Sequence, residues 1–419
     1  MSDSAIGHSA PTAPSFEFDA VADRLQWSST KWEKYRGQDV IPLWIADMDF
    51  PAAPAIQDAI AAHVRHGNYG YMAPPRELAR LLVDDHASRY GWEVQPEWIV
   101  WLPGLVLGIN LAVRTCCAPG ERAVSFSPVY PPFLSAPGIQ ERGLVDVPLR
   151  PTNAAGTEFT IDFAALEAAL QASPAARLLL LCHPHNPLGR LFTREELDGL
   201  AALCERHDLH VCSDEVHCDL ILDEGATHVP FAKLLAERSP RLLARTITLH
   251  GPGKTYNIAG LGIAWAIIPD AGLRQRFKAA MGRLVPDPCC FGFTALKAAF
   301  LHGEPWRQAL LATLRRNRDR VSAALARMGL PHTHPEVSYL TWIDARALAA
   351  QVGSPAAWFE RHGVGLSDGA DFGRPGYLRL NFAAPPSLLE EALQRMERAL
   401  ARRTEPFAPD ASAAAALFA

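Results

Sequence analysis

No apolar stretch of the 419-residue chain approaches the roughly 20 residues a helix needs to cross a bilayer, so no membrane span is expected. Basic runs are missing too. The chain has 40 Lys and Arg against 45 Asp and Glu, a formal charge of -5, and no cationic stripe that could neutralise a phosphate backbone. Nucleic acid is therefore not an expected partner. Cysteine is sparse and badly spaced for metal. Of eight, four form the adjacent pairs Cys116-Cys117 and Cys289-Cys290, and none makes a C-x-x-C. Buried free thiols and no metal site are expected. The opening MSDSAIGHSAPTAP has neither the basic nor the apolar region of a signal peptide, which predicts a cytoplasmic protein. Internal repeats are absent.

What is present suits a closed globular core: 49% hydrophobic and 20% charged residues. A chain this long exceeds one ordinary core, which predicts a large domain with a smaller companion. Residues 1–20 and the Ala-rich 406–419 show no apolar period and read as a flexible arm and tail. Between about Pro96 and Pro269, short aliphatic and β-branched runs alternate with amphipathic stretches, as in a mostly parallel sheet with crossover helices. Strands are predicted over 98–102, 123–126, 177–182, 209–212, 246–249 and 262–268. A helix follows Pro103-Gly104 over 105–117, and Thr193-Arg-Glu-Glu196 is a capping box opening another that runs to about Arg206. Past Pro286 the pattern shifts to long helices over 291–328, then short strands near 338–342 and 377–381. The reading is an α/β protein with a large domain over 61–288 and a smaller α+β domain over 289–405. Residues 21–60, which contain Ile45-Ala-Asp-Met-Asp-Phe50, join the smaller domain or line the cleft.

In open α/β sheets, ligands bind beyond the carboxyl ends of the strands, and the chemically unusual residues of this chain fall there. Gly104, Tyr130, Asn186, Asp214 and Lys254 each end or follow a predicted strand. Each has a task if the ligand is a phosphorylated pyridine aldehyde. Gly104 lets backbone approach a phosphate, whose charge the N–H groups of Leu105 and Val106 and the helix dipole stabilise. Asp214 keeps the ring nitrogen protonated. Asn186 donates its amide to the ring hydroxyl, Tyr130 stacks on the ring face, and His217 approaches the same hydroxyl or caps a helix. Arg379, on a strand opposite in direction to Leu378 and Leu380, offers a bidentate clamp for a carboxylate. Taken singly, these have bland alternatives: a turn glycine, a capping acid, an Asn-Pro turn, a packing tyrosine, a surface ion pair. Lys254 is harder to explain that way. It follows an apolar strand and Gly-Pro-Gly and precedes the uncharged Asn-Ile-Ala-Gly-Leu, whereas an ordinary lysine is a solvated surface charge. Its amine can condense with an aldehyde and later carry a proton.

The ordered set Gly104, Tyr130, Asn186, Asp214, Lys254 and Arg379 resembles fold-type I pyridoxal-phosphate (PLP) enzymes of the aminotransferase class I and II group. More narrowly, the chain resembles the MalY/PatB branch of carbon–sulfur β-lyases. The segments are Lys31-Trp32, Pro42-Leu-Trp-Ile-Ala-Asp-Met-Asp-Phe50, His66-Gly-Asn-Tyr-Gly-Tyr71, Val129-Tyr-Pro-Pro-Phe133, Asn186-Pro-Leu-Gly-Arg190, Ser213-Asp-Glu-Val-His217, Lys254-Thr-Tyr-Asn-Ile-Ala-Gly-Leu261 and Arg379-Leu-Asn381. The resemblance implies PLP on Lys254, an amino-acid substrate met by Ala46, Asn186 and Arg379, and a homodimer in which Tyr71 reaches the neighbouring subunit's phosphate. It implies cleavage of L-cystathionine or a related S-substituted cysteine to pyruvate, ammonia and a thiol. An aminotransferase using the same residues is the alternative, and a regulatory binding protein on a PLP scaffold a third. Three departures stand out: Gly253 where relatives commonly have Ser, Gln26-Trp27 where they often have Gly-Thr, and Pro131 where some have a second Tyr.

Overall fold

The computed structural model describes residues 16–402. In chain order its strands are β1 (Ile41–Pro42), β2 (Ile99–Leu102), β3 (Arg122–Ser125), β4 (Gly143–Asp146), the short pair β5 (Arg150–Pro151) and β6 (Phe159–Thr160), β7 (Ala176–Cys182), β8 (His210–Asp214), β9 (Thr246–His250), β10 (Ala264–Ile267), β11 (Leu340–Asp344), β12 (Val364–Gly365), β13 (Ser367–Asp368) and β14 (Tyr377–Asn381). Seven of them form one sheet in the order β2-β10-β9-β8-β7-β3-β4. The pairings from β9 to β4 are parallel, while β10 runs antiparallel to both β9 and β2. Two reversals restore direction, so β2 points the same way as β9. The carboxyl ends of β2, β3, β7, β8 and β9 therefore share one edge of the sheet.

The sheet is covered on both faces, which explains the continuous apolar strands. Leu178, Leu180 and Cys182 of β7 pack with the helices Leu105–Cys116 and Ala271–Met281. Their alternates Leu179 and Leu181 pack with the helices Phe163–Ala172, Arg194–Arg206 and Phe231–Arg238. The capping box forms as expected, Thr193 accepting from the Glu196 N–H and Glu196 from the Thr193 N–H. Trp98 ends a 3-10 turn instead of opening β2.

A second sheet, β11-β14-β13, is antiparallel and packs with the long helices Glu304–Arg327 and Pro386–Ala401 in a separate core. That core also holds Ile41, Leu43, Met48 and Phe50, and β1 pairs in parallel with β12. The loose arm expected over 1–20 needs correction at its end. Phe18 is buried with its ring 5.2 Å from that of Phe50 and 5.8 Å from that of Trp306, because two aromatic partners outweigh the lack of local structure. Residues 1–15 and the tail over 406–419 lie outside the described residues. The helix Cys290–His302 sits between the two bodies: Phe293 and Leu296 pack with Leu78, Leu82 and Trp265 beside the large sheet, and Ala295, Ala298 and Ala299 join the second core.

The N-terminal segment crosses between these bodies as a strap, and beyond the short pairing of β1 with β12 it is held largely by side chains. Asn381 donates through Nδ2 to the carbonyls of Ile45 (2.7 Å) and Asp47 (2.6 Å), and Asn257 to those of Met48 (3.1 Å) and Phe50 (2.7 Å). Beneath the strap, Lys31 is fully buried against Asp49 at 2.7 Å, and Arg24 and the Trp32 indole also donate to that carboxylate. This buried charge is compensated, as it must be to persist.

Candidate active site

A cavity of about 540 Å³ opens at the shared carboxyl edge of the sheet. Its walls include Ala46, Gly104, Leu105, Val106, Tyr130, Asn186, Asp214, His217, Lys254 and Arg379. All the residues expected on the strand ends are thus brought together, with Ala46 added by the strap and Arg379 by β14. Tyr71 is not among them. It is fully exposed and lies outside the cavity of its own chain.

Lys254 stands in the turn after β9, partly open to the cavity, and donates through Nζ to the Ala46 carbonyl at 2.6 Å. Burial, and then the positive charge of Arg379, lower its pKa to about 8, against the pull of Asp47 and Asp214. The amine is therefore far more often neutral than an ordinary lysine, as a nucleophile or base must be. Asp214 closes β8 and is buried; among the described residues its carboxylate has one hydrogen bond, from the Val216 N–H at 3.2 Å. Burial raises its pKa to about 7, with Lys254 opposing. A carboxyl so thinly partnered is suited to a cationic partner arriving with a ligand.

Arg379 is buried on β14. It donates to Asn186 Oδ1 (3.1 Å) and to the Trp44 carbonyl (2.8 Å), and its guanidinium carbon lies 4.7 Å from the centre of the Phe372 ring. Its Nε has no hydrogen-bond partner. Burial lowers its pKa to about 10, so it remains a cation. The bond to Arg379 fixes which way the Asn186 amide faces, and Nδ2 makes no hydrogen bond among the described residues. Asn186 also accepts the Tyr130 N–H at 3.0 Å through its carbonyl, tying the ends of β3 and β7 together. His217 shares a hydrogen bond between Nδ1 and Ser338 at 3.0 Å, and burial lowers its pKa to about 3, so it is neutral.

Opposite these groups lies the start of the helix Leu105–Cys116. Gly104 precedes it with no side-chain cap, and no atom stands within 4 Å of where a Cβ would be. Its first N–H groups and the helix dipole face the cavity as an anion seat. The donors match PLP part by part: the helix start for the phosphate, Asp214 for the ring nitrogen, the Asn186 amide for the ring hydroxyl, Tyr130 for the ring face and Lys254 for the aldehyde. Gly253 has a local reason, since a Cβ there would meet Ala259 Cα at 3.2 Å. The Trp27 side chain is exposed on the surface.

Several groups escaped the sequence reading. Tyr339 is buried and donates to the Ala46 carbonyl at 3.1 Å, so it and Lys254 converge on one oxygen. Trp44 acts through its backbone, and Arg24, Ser28, Ser29 and Thr30 close the wall from the strap. The one available signal was the pair Asp47 and Asp49 inside an otherwise apolar segment.

The aminotransferase class I and II family matches over residues 38–396. The chain is 35% identical over 394 residues to the cystathionine beta-lyase PatB of Bacillus subtilis, covering 91% of this chain and 99% of that protein. A crystal structure of OvoB superposes with a TM-score of 0.87 at 44% identity, covering 94% of this chain and 100% of that one. The PLP-bound C-S lyase of Staphylococcus hominis gives a TM-score of 0.85 at 28% identity, covering 93% and 100%. The chain belongs to the aminotransferase class I and II family of PLP enzymes, with the fold-type I architecture, and stands beside PatB within it.

Proposed function

We propose that the protein is a PLP-dependent carbon–sulfur β-lyase acting on L-cystathionine or a related S-substituted cysteine. The observation that carries this reading is the end-to-end relation to PatB, a cystathionine beta-lyase, with a low-pKa lysine, a buried aspartate and an arginine in one cavity. The net reaction adds one water: the Cβ–S bond breaks, sulfur leaves with the electron pair and takes a proton as the thiol, and the remainder becomes pyruvate and ammonium. When bound, PLP supplies an aldehyde that joins the substrate amine and a ring that accepts the electrons released at Cα.

The chain's own residues do the rest. Arg379 holds the substrate carboxylate, with Asn186 and the backbone of Ala46 beside it. Lys254, whose amine would hold the PLP aldehyde, is placed to remove the Cα proton, a task its lowered pKa suits near neutral pH. Asp214 holds the proton on the ring nitrogen. Arg24, Ser28, Ser29 and Thr30 of the strap line the cavity and take up part of its wall that water would otherwise face. We further infer a cytoplasmic homodimer with Tyr71 serving the neighbouring subunit's phosphate. The free cysteines among the described residues suit a reducing compartment, and a fully exposed tyrosine suits a surface that a second copy covers.

Incubation of the holoenzyme with cystathionine should release pyruvate and homocysteine in equal amounts. An aminotransferase is the second reading, favoured by the name of the family that matches. Accumulation of a 2-oxo acid that keeps the sulfur, together with pyridoxamine phosphate, would establish it instead.

A further inference from the structure

One backbone oxygen of the site serves two donors. The Ala46 carbonyl belongs to a buried residue, and among the described residues it accepts Lys254 Nζ at 2.6 Å and the Tyr339 hydroxyl at 3.1 Å. Its neighbours along the strap, the carbonyls of Ile45 and Asp47, are both taken by Asn381, so the strap is fixed on either side of Ala46 without Tyr339. Tyr339 is itself buried and does not line the cavity. Its placement is firmly set. Ser338, just before it, sits in the left-handed region at a φ of 75°, an uncommon conformation for a residue with a side chain. Two bonds keep Ser338 there: its N–H donates to the Leu220 carbonyl at 2.9 Å, and its Oγ shares a hydrogen bond with His217 Nδ1. Burial, and then the charge of Asp47, push the Tyr339 pKa far up, so the hydroxyl keeps its proton and stays a donor.

The two donors differ in what they do next. If Lys254 carries PLP, the reading on which this inference rests, its amine joins the aldehyde. A carbon–nitrogen double bond forms, and the aldehyde oxygen leaves as water with the two hydrogens of the amine. The hydrogens that served Ala46 are then gone, and a buried carbonyl without a donor is costly. We propose that Tyr339 is a positioning residue that keeps the Ala46 carbonyl paired when Lys254 leaves it, so that the amine reaches the cofactor without stranding a buried acceptor.

The test titrates the apoprotein and its Tyr339→Phe variant with PLP and with deoxypyridoxine phosphate. The second compound keeps the ring and phosphate but has a methyl group in place of the aldehyde, so Lys254 stays on Ala46 when it binds. In the variant, affinity for PLP should fall about tenfold while that for the methyl compound is unchanged. Similar losses for both compounds would mark a damaged pocket and overturn the proposal, as would a PLP affinity that holds or rises. Wild-type protein that binds the two compounds alike, with no borohydride-reducible link at Lys254, would overturn the cofactor reading and this proposal with it. Absence of pyruvate from cystathionine would overturn the lyase reading alone.

Discussion

A lysine amine that must attack an aldehyde at neutral pH has to lose its proton easily, and two neighbours of Lys254 press in that direction. Burial withholds water from the ammonium, and the Arg379 guanidinium repels it; together they bring the pKa from 10.5 to about 8. The neutral, reactive form grows as pH rises through the folded pKa. The rate at which PLP reconstitutes the apoprotein should therefore climb with pH to a midpoint near 8 and then level. Arg379→Met removes the like charge while filling similar space, so the midpoint should move upward toward 10.5, and less amine will be neutral at pH 7. Stopped-flow absorbance of reconstitution across pH measures both. A wild-type midpoint near 10, or one that Arg379→Met leaves in place, rules out this origin of the low pKa. Lys254→Ala should lower turnover by roughly 10²–10⁴-fold even with PLP present, the range for loss of a positioned proton carrier.

Among the elements, the strap is the most exposed to a single change. Lys31 is wholly enclosed and meets Asp49 at 2.7 Å, and Arg24 and Trp32 converge on the same carboxylate. Asp49→Ala leaves a buried ammonium without its closest counter-charge and should cost about 3–5 kcal/mol, whereas joint replacement as Lys31→Met with Asp49→Leu should cost much less. Urea unfolding monitored by tryptophan fluorescence reads both; equal losses in the two variants would show that packing, not charge, fixes the strap. How far each element could be read in advance follows from how it is held. Strands such as β7 and β9 are buried on both faces, so they stand out as unbroken apolar runs, and chemically odd residues just after them mark the site. The reversed direction of β10 leaves no trace, because Ala264–Ile267 has the same composition either way. The strap was harder still. Strands β1, β12 and β13 are two residues each, too short for any period, and the contacts that seat the strap join Asn381 and Asn257 to backbone atoms more than 200 positions away. Tyr339 and Trp44 were invisible as site residues for a related reason, since one touches the site through a carbonyl it shares with Lys254 and the other through its own carbonyl.

At the scale of the whole molecule, Tyr71 is the residue that a single chain leaves without a role. Its phenol is fully in water, and the nearby Tyr69 and Val64 are also exposed, an apolar and aromatic surface of the kind a second copy covers. If Tyr71 completes the neighbour's phosphate seat, each site takes Lys254 from one subunit and Tyr71 from the other. Tyr71→Ala should then weaken PLP retention, and Lys254→Ala should lower turnover by roughly 10²–10⁴-fold, yet a mixture can recover activity. In a mixed dimer, the site built on the Tyr71→Ala subunit has its own Lys254 and receives Tyr71 from the Lys254→Ala partner, so it is intact; the other site carries both defects. Random reassociation of equal amounts makes half the dimers mixed, each with one intact site of two, and activity should rise to about a quarter of the wild-type value at limiting PLP. A Tyr71 that served its own chain would give no such rescue, because every site would keep a defect. Differently tagged subunits, reassociated and co-purified through both tags, provide the mixed dimer directly, and its turnover should be about half that of the wild type.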